Sequence, residues 1–160
     1  SIARILETEA KEKGVKIYRR LAASLPKIFV DKEQIKQVCM NVILNAIQAI
    51  DGRGVVQVST LVFAKNGGEQ FVQIGIRDSG IGIADKDLEN IFNPFYTTKK
   101  EGSGLGLSIS HQIVQEHGGY IVVESNVGEG TTFFINLPVS YQNHQGVRGG
   151  SHLHEEDPGR

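Results

Sequence analysis

Several things are scarce in this 160-residue chain: it has one cysteine, four prolines and no tryptophan. A single Cys39 excludes a disulfide framework or a zinc–cysteine site within one chain. No apolar run approaches the roughly 20 residues of a membrane-spanning helix. The opening Ser1-Ile2-Ala3-Arg4 lacks the apolar core of a signal peptide, so a reducing, cytoplasmic setting is expected. Charge of one sign is also missing. Seventeen Lys+Arg stand against eighteen Asp+Glu, a formal net charge of −1, which argues against nucleic acid or an anionic membrane as a bulk partner. What is plentiful is glycine, nineteen residues against a usual share of about 7%.

Hydrophobic periodicity divides the chain into one domain, residues 1–140, and a tail, 141–160, expected to be disordered. Ile2 to Lys13 has helical spacing and stops at Gly14; Val15 to Arg20 alternates like a strand. Asp31 and Gln34 form a capping-box signal before a helix predicted over Lys32 to Ile50. On that helix Gln34, Gln37, Asn41, Asn45 and Gln48 fall within one arc of about 80°, beside the apolar sector of Ile35, Val38, Val42, Ala46 and Ala49. An uncharged amide stripe next to a core face describes a pocket wall.

Gly54 to Phe63 and Gln70 to Asp78 read as a hairpin, with Val72, Ile74, Ile76 and Asp78 sharing one parity. Asp78 is thus expected on the face of the buried aliphatics, where a carboxylate needs a polar partner. A short helix is predicted over Asp85 to Ile91, a loop over Asn93 to Gly104 and a helix over Leu105 to His117. Strands follow over Tyr120 to Ser125 and Thr131 to Leu137, the last placing Thr131 on the parity of Phe133 and Ile135.

Glycines cluster at strand ends and helix starts: Gly80 and Gly82; Gly102, Gly104 and Gly106; Gly128 and Gly130. Gly102-Ser-Gly-Leu-Gly-Leu107 opens a helix, where backbone N–H groups and the helix dipole favour an anion such as phosphate. It does not follow a strand and lacks the Gly-Lys-Ser/Thr ending, so it is not a P-loop. Without a strand immediately before its glycines, it is not a dinucleotide fingerprint either.

In order along the chain stand Asp31-Lys-Glu-Gln-Ile-Lys-Gln-Val-Cys-Met-Asn41-Val-Ile-Leu-Asn45-Ala-Ile-Gln-Ala, Asp78-Ser-Gly-Ile-Gly-Ile83, Ile91-Phe-Asn-Pro-Phe-Tyr-Thr-Thr-Lys99 and Gly102-Ser-Gly-Leu-Gly-Leu107, closed by Gly128-Glu-Gly-Thr-Thr-Phe133. These resemble the N box, first glycine box, Phe box, second glycine box and last strand of the catalytic ATP-binding domain of bacterial sensor histidine kinases. That domain belongs to the superfamily that also holds gyrase, heat-shock chaperone and mismatch-repair ATPases. The Pro-Phe-Tyr-Thr-Thr-Lys form resembles the nitrogen-regulation subtype. The resemblance implies an α+β fold of the Bergerat type, a two-layer sandwich in which a mixed, mostly antiparallel sheet of about five strands is covered on one face by about three helices.

It also implies roles. Asn45 is similar to the residue that coordinates Mg²⁺ across the ATP phosphates, with Asn41 one turn earlier and Gln48 further along the stripe. Asp78 is similar to the acid that accepts from the adenine amino group. Gly80, Gly82 and Ile83 would pass close to the base, with Thr131 contributing from the neighbouring strand. Tyr96, Lys99, Gly102, Ser103, Gly104, Leu105, Gly106 and Leu107 belong to the family's ATP lid and phosphate-binding segment, with Lys99 meeting the phosphates. With Asn45 and Lys99 as catalytic residues, the implied function is transfer of the γ-phosphoryl group from ATP·Mg²⁺ to a histidine. That histidine lies on a dimerisation domain absent from these 160 residues. A response regulator is an indirect partner; the longer kinase is expected to be a homodimer and this chain a monomer. His111 and His117 read as surface or packing residues. The alternative is a nucleotide-gated binding module, an anti-sigma-like serine kinase or a degenerate kinase domain.

Overall fold

The computed structural model describes residues 2–97 and 105–140. The elements in chain order are α1 (Ile2–Lys13), β1 (Val15–Arg20), α2 (Lys32–Gln48), β2 (Gly54–Ala64), β3 (Gln70–Asp78), α3 (Asp85–Leu88), α4 (Gly106–Glu116), β4 (Tyr120–Asn126) and β5 (Gly130–Pro138). The strands form one sheet in the order β1-β2-β3-β5-β4. β1 runs parallel to β2, and every other neighbour is antiparallel. This is the expected mixed sheet, and α1, α2 and α4 pack beside it.

Register decides which side chains meet the helices. Val56 lies opposite Asp78, Val58 opposite Ile76, and Ile76 opposite Phe133. Side chains alternate along a strand, so Val56, Ile76, Phe133, Ile135 and Leu137 form one inner face, and all five are buried. α2 covers it with Val38, Val42, Ala46 and Ile47, and α4 with Ile113 and Val114. The same alternation carries Asp78 and Thr131 inward at the end of the sheet.

Helix ends are tied by side chains. The ammonium of Lys13 at the end of α1 donates to the carbonyls of Ile47, Gln48 and Ile50 at 3.2–3.4 Å, placing a cation at the C-terminus of α2. At the other end Asp31 caps α2 by accepting from the Gln34 N–H at 3.1 Å. The reciprocal half of the capping box is filled differently: the Asp31 N–H donates to Nε2 of His117 at 3.0 Å. Nδ1 of His117 donates to the Ile113 carbonyl at 2.7 Å. His117 is therefore a packing residue that pins the end of α4 to the start of α2.

Three predicted helices are shorter than expected, α4 by only one residue at each end, where Leu105 and His117 are its caps. α2 stops at Gln48, because Ala49 and Ile50 turn and the Ala49 carbonyl accepts from Ile81. α3 covers four residues only, Asp85–Leu88, and the chain to Ile91 continues as turns. The 141–160 tail lies outside the described residues. None of the described helices is long and apolar enough to cross a membrane.

Cys39 reports on this packing. Burial against the fold pushes its thiol up to about 11, which starves it of thiolate. At pH 8 the native chain is expected to be alkylated by iodoacetamide at least roughly tenfold more slowly than the urea-unfolded chain. Equal rates would show that α2 does not seat as described.

Candidate functional site

Between α2, the loop after β3, the turns after α3 and the start of α4 lies a cavity of about 520 Å³. That is within the usual range for a small-molecule site, about 300–1,000 Å³. A hollow of about 110 Å³ on the other sheet face, near Gln57, Arg77 and Glu129, is too small for one.

One end of the cavity is built around Asp78, which is 2% exposed. Its Oδ1 accepts from the N–H of Gly80 at 2.8 Å and of Thr131 at 3.3 Å. These bonds give the buried carboxylate the polar partners its position requires. They also lock three segments together, because Gly80 opens the loop and Thr131 belongs to β5. The loop is stitched further by Ile81 N–H to Ala49 and Gly128 N–H to the Ile81 carbonyl at 3.0 and 2.8 Å.

Glycines make that stitching possible. A Cβ on Gly80 would stand 2.7 Å from the Ala49 carbonyl carbon, and one on Gly82 equally close to the Asn126 carbonyl carbon. Gly82 also has φ +75°, and Gly130, with φ +107°, passes against the Asp78 backbone. Gly82 lines the cavity, whereas Gly80 serves the packing behind it.

Behind Thr131 stands Ser125. Its hydroxyl meets the Thr131 hydroxyl at 2.7 Å, accepts from the Ile83 N–H at 2.7 Å and donates to the Gly130 carbonyl at 3.1 Å.

The opposite wall is the amide stripe. Asn41, Asn45 and Gln48 line the cavity, whereas Gln34 and Gln37, nearer the start of α2, do not. Asn41 turns its amide nitrogen to α4, donating to the Gly106 carbonyl and to the hydroxyl of Ser110, each at 3.4 Å. Ser110 is fully buried and donates to the same carbonyl at 2.8 Å. The amide oxygen of Asn41 is thereby the atom left for the cavity. Gly106 and Leu107 reach the wall from the first turn of α4, which has no side-chain cap from Leu105. A helix start at a cavity wall favours an anion.

The turns after α3 close a third side with Ile91, Tyr96 and Thr97. The Tyr96 hydroxyl donates to Oδ1 of Asp87 at 2.9 Å, and this bond raises its pKa above the usual tyrosine range. Phe92 stacks on His111 of α4 with centroids 4.8 Å apart. Phe95 is 75% exposed and has φ +65°, alone among the described non-glycine residues in that region.

A model of the histidine kinase-, DNA gyrase B- and HSP90-like ATPases matches residues 30–141. The chain belongs to this family. Sensor histidine kinase ZraS of Escherichia coli K12 is 42% identical over 136 residues, 85% of this chain and 28% of ZraS. Sporulation kinase E of Bacillus subtilis is 38% identical over 135 residues, 84% of this chain and 18% of that protein. The chain thus spans less than a third of the length of these curated relatives. The catalytic domain of histidine kinase ThkA, free of nucleotide, has the same fold: TM-score 0.73 and 29% identity, covering 86% of this chain and 88% of that one. Full-length ShkA in complex with AMPPNP matches with TM-score 0.72 and 29% identity, over 86% of this chain and 28% of ShkA.

Of the residues singled out in the sequence, Asn41, Asn45, Gln48, Asp78, Gly82, Ile83, Tyr96, Gly106, Leu107 and Thr131 converge on this cavity. Leu105 caps α4 from outside the lining. Lys99, Gly102, Ser103 and Gly104 lie outside the described residues. Sequence reasoning missed Asp87, Ser110 and Ser125. Ser125 carried a signal, since it shares the inward parity of Ile121 and Val123 and pairs with Thr131. Asp87 and Ser110 carried none, because their partners come from other segments.

The glycines separate by experiment. Gly82→Ala is expected to cost roughly 2–4 kcal/mol in a denaturant titration, from positive φ and contact with the Asn126 carbonyl. A Cβ at Gly106 would meet nothing nearer than Asn41 at 3.8 Å, so Gly106→Ala should hold stability or raise it by up to about 1 kcal/mol. A large loss for Gly106→Ala would contradict the placement of α4.

Proposed function

We propose that the chain binds ATP with Mg²⁺ in this cavity and passes the γ-phosphoryl group to a histidine on a dimerisation domain of the same kinase. The observation that carries this is the polarity of the cavity: a buried acceptor, Asp78, at one end, and side-chain amides with the first turn of α4 at the other. An adenine amino group fits the first end. A triphosphate with its cation fits the second. The AMPPNP held by ShkA, an ATP analogue, supports the same reading.

The donor set suits Mg²⁺. This hard cation takes oxygen ligands and leans on phosphates and water more than on protein carboxylates. Among the described residues no group of three or more His, Cys, Asp or Glu could hold a metal. Asn45 on the cavity wall, with the Asn41 oxygen one turn away, supplies neutral oxygens of the required kind. When bound, Mg²⁺ would neutralise charge across the phosphates.

The chain's own task is positioning. Asp78 orients the base, the α2 amides place the cation-bearing phosphates, and the first turn of α4 meets them with N–H groups. Lys99 and the glycines of the second box would complete the phosphate end. A neutral imidazole is already a nucleophile, so holding the phosphates in line with it is most of the catalysis. The reaction belongs in the cytoplasm, in a homodimeric kinase that in turn serves a response regulator. The Phe-box sequence Pro94-Phe-Tyr-Thr-Thr-Lys99 supports the nitrogen-regulation subtype.

Phe95 supports docking onto a helical partner. A bulky residue with positive φ costs about 1–2 kcal/mol, and this one is exposed, so the fold gains nothing from it.

Asp78→Asn is expected to weaken ATP binding by about tenfold or more. Asn45→Ala should abolish the Mg²⁺-dependent part of the affinity. Unchanged titrations of both variants would defeat the site assignment. With an added dimerisation domain, acid-labile label should appear on its histidine; an acid-stable product would indicate serine as acceptor. Phe95→Gly should leave thermal stability unchanged or higher while slowing transfer to that domain. Full transfer by this variant would remove Phe95 from the docking surface.

A further inference from the structure

We propose that Ser125 is a positioning residue for nucleotide specificity: it fixes the Thr131 hydroxyl as a hydrogen-bond acceptor toward the cavity, selecting 6-amino over 6-oxo purines. The inference rests on the ATP reading above and goes one residue deeper than the cavity lining.

Ser125 of β4 lies directly opposite Thr131 of β5 on the inner face of the sheet. Its hydroxyl has three neighbours within hydrogen-bond reach, and two have fixed polarity. The Ile83 N–H, 2.7 Å away, can only donate; the Gly130 carbonyl, 3.1 Å away, can only accept. The third, the Thr131 hydroxyl at 2.7 Å, can do either.

One proton must be shared out. When Ser125 gives its proton to the Gly130 carbonyl, the Thr131 proton goes to the Ser125 oxygen. Both hydroxyl protons are then paired inside the protein, and Thr131 offers the cavity lone pairs only. In the reverse arrangement Ser125 donates to Thr131, and the Thr131 proton needs an acceptor in the cavity. That arrangement also strips the Gly130 carbonyl of its Ser125 donor, whereas the first pairs both hydroxyl protons among partners already in place. The first arrangement prevails unless a ligand supplies that acceptor.

Asp78 stands beside Thr131, joined to it by the 3.3 Å bond from the Thr131 N–H. This end of the cavity therefore presents acceptors from two side chains. A 6-amino group donates to such a wall, directly or through a water; a 6-oxo group meets it acceptor to acceptor. Removing the Ser125 hydroxyl frees Thr131 to turn its proton into the cavity and to serve either base.

The test is titration of the 160-residue chain with Mg·ATP, Mg·ITP and Mg·tripolyphosphate, for the wild type, Ser125→Ala and Ser125→Thr. The wild type should prefer ATP. Ser125→Ala should cut the ATP/ITP affinity ratio by about tenfold without moving tripolyphosphate affinity. Ser125→Thr keeps the hydroxyl and should keep the ratio. Because each ratio compares two ligands on one protein, a smaller folded fraction cancels from it. If Ser125→Ala does not fold, Ser125→Cys, whose thiol is a weak donor, should give an intermediate ratio. An unchanged ratio in Ser125→Ala or Ser125→Cys, with ATP still bound by the wild type, overturns the inference alone. A wild type that binds neither nucleotide overturns the ATP reading and the inference with it.

Discussion

The structure turns on one buried carboxylate. Asp78 ends β3 at a position whose parity sends it inward, and leaving it there unpaired would cost several kcal/mol. Its partners are main-chain N–H groups of Gly80 and Thr131, which come from the loop after β3 and from β5. To bring them in, the loop must run against the last carbonyls of α2, and the β4–β5 turn must lie against the loop. Both approaches exclude a Cβ, at Gly80 and Gly130. Gly80 and Gly130 are thus the steric consequence of solvating an acid with backbone. The same arrangement leaves an acceptor at the cavity wall, so what stabilises the fold there also shapes the site.

The parts that were legible in the sequence are those governed by local periodicity. The amide stripe on α2, the inward parity of Asp78 and Thr131, and the glycine stop at Gly14 all follow from 3.6- or 2-residue repeats, and all appear at the stated places. The illegible parts depend on contacts between distant segments. α3 covers four residues because the backbone beyond Leu88 switches to i→i−3 bonds, Asn90 to Asp87, Asn93 to Asn90 and Tyr96 to Asn93, which still bury Ile91. Gln34 looked like half of a capping box, yet a histidine 86 residues away takes the Asp31 N–H. Likewise only the latter half of the amide stripe lines the cavity, because only there does α2 pass the loop after β3 and the start of α4.

α2 and α4 act as a pair. Their far ends are joined through His117, and their cavity ends through Asn41, Gly106 and Ser110. A helix held at both ends against its neighbour cannot tilt without breaking one of these links. Displacement of the α4 start by a bound anion would therefore be felt at Asn41, and through it at the amide oxygens of the wall. In the proposed reading this couples the phosphate-binding turn to the cation site without any residue between them.

The two ends of the cavity are built on different principles, and the difference matches what each would have to do. The Asp78 end is framed by strand register, backbone bonds and glycines that tolerate no added atom, which gives a rigid surface suited to reading a flat base. The amide end is framed by side chains and the first turn of a helix, where Asn41 donates to Gly106 and Ser110 across the gap between α2 and α4. Reading a base requires a surface that does not adjust, because discrimination is the cost of a mismatch that cannot relax. Holding a triphosphate whose last group leaves requires ligands that follow the charge as it moves. In the proposed reading, specificity and reactivity thereby fall to separate elements of one sheet-and-helix frame.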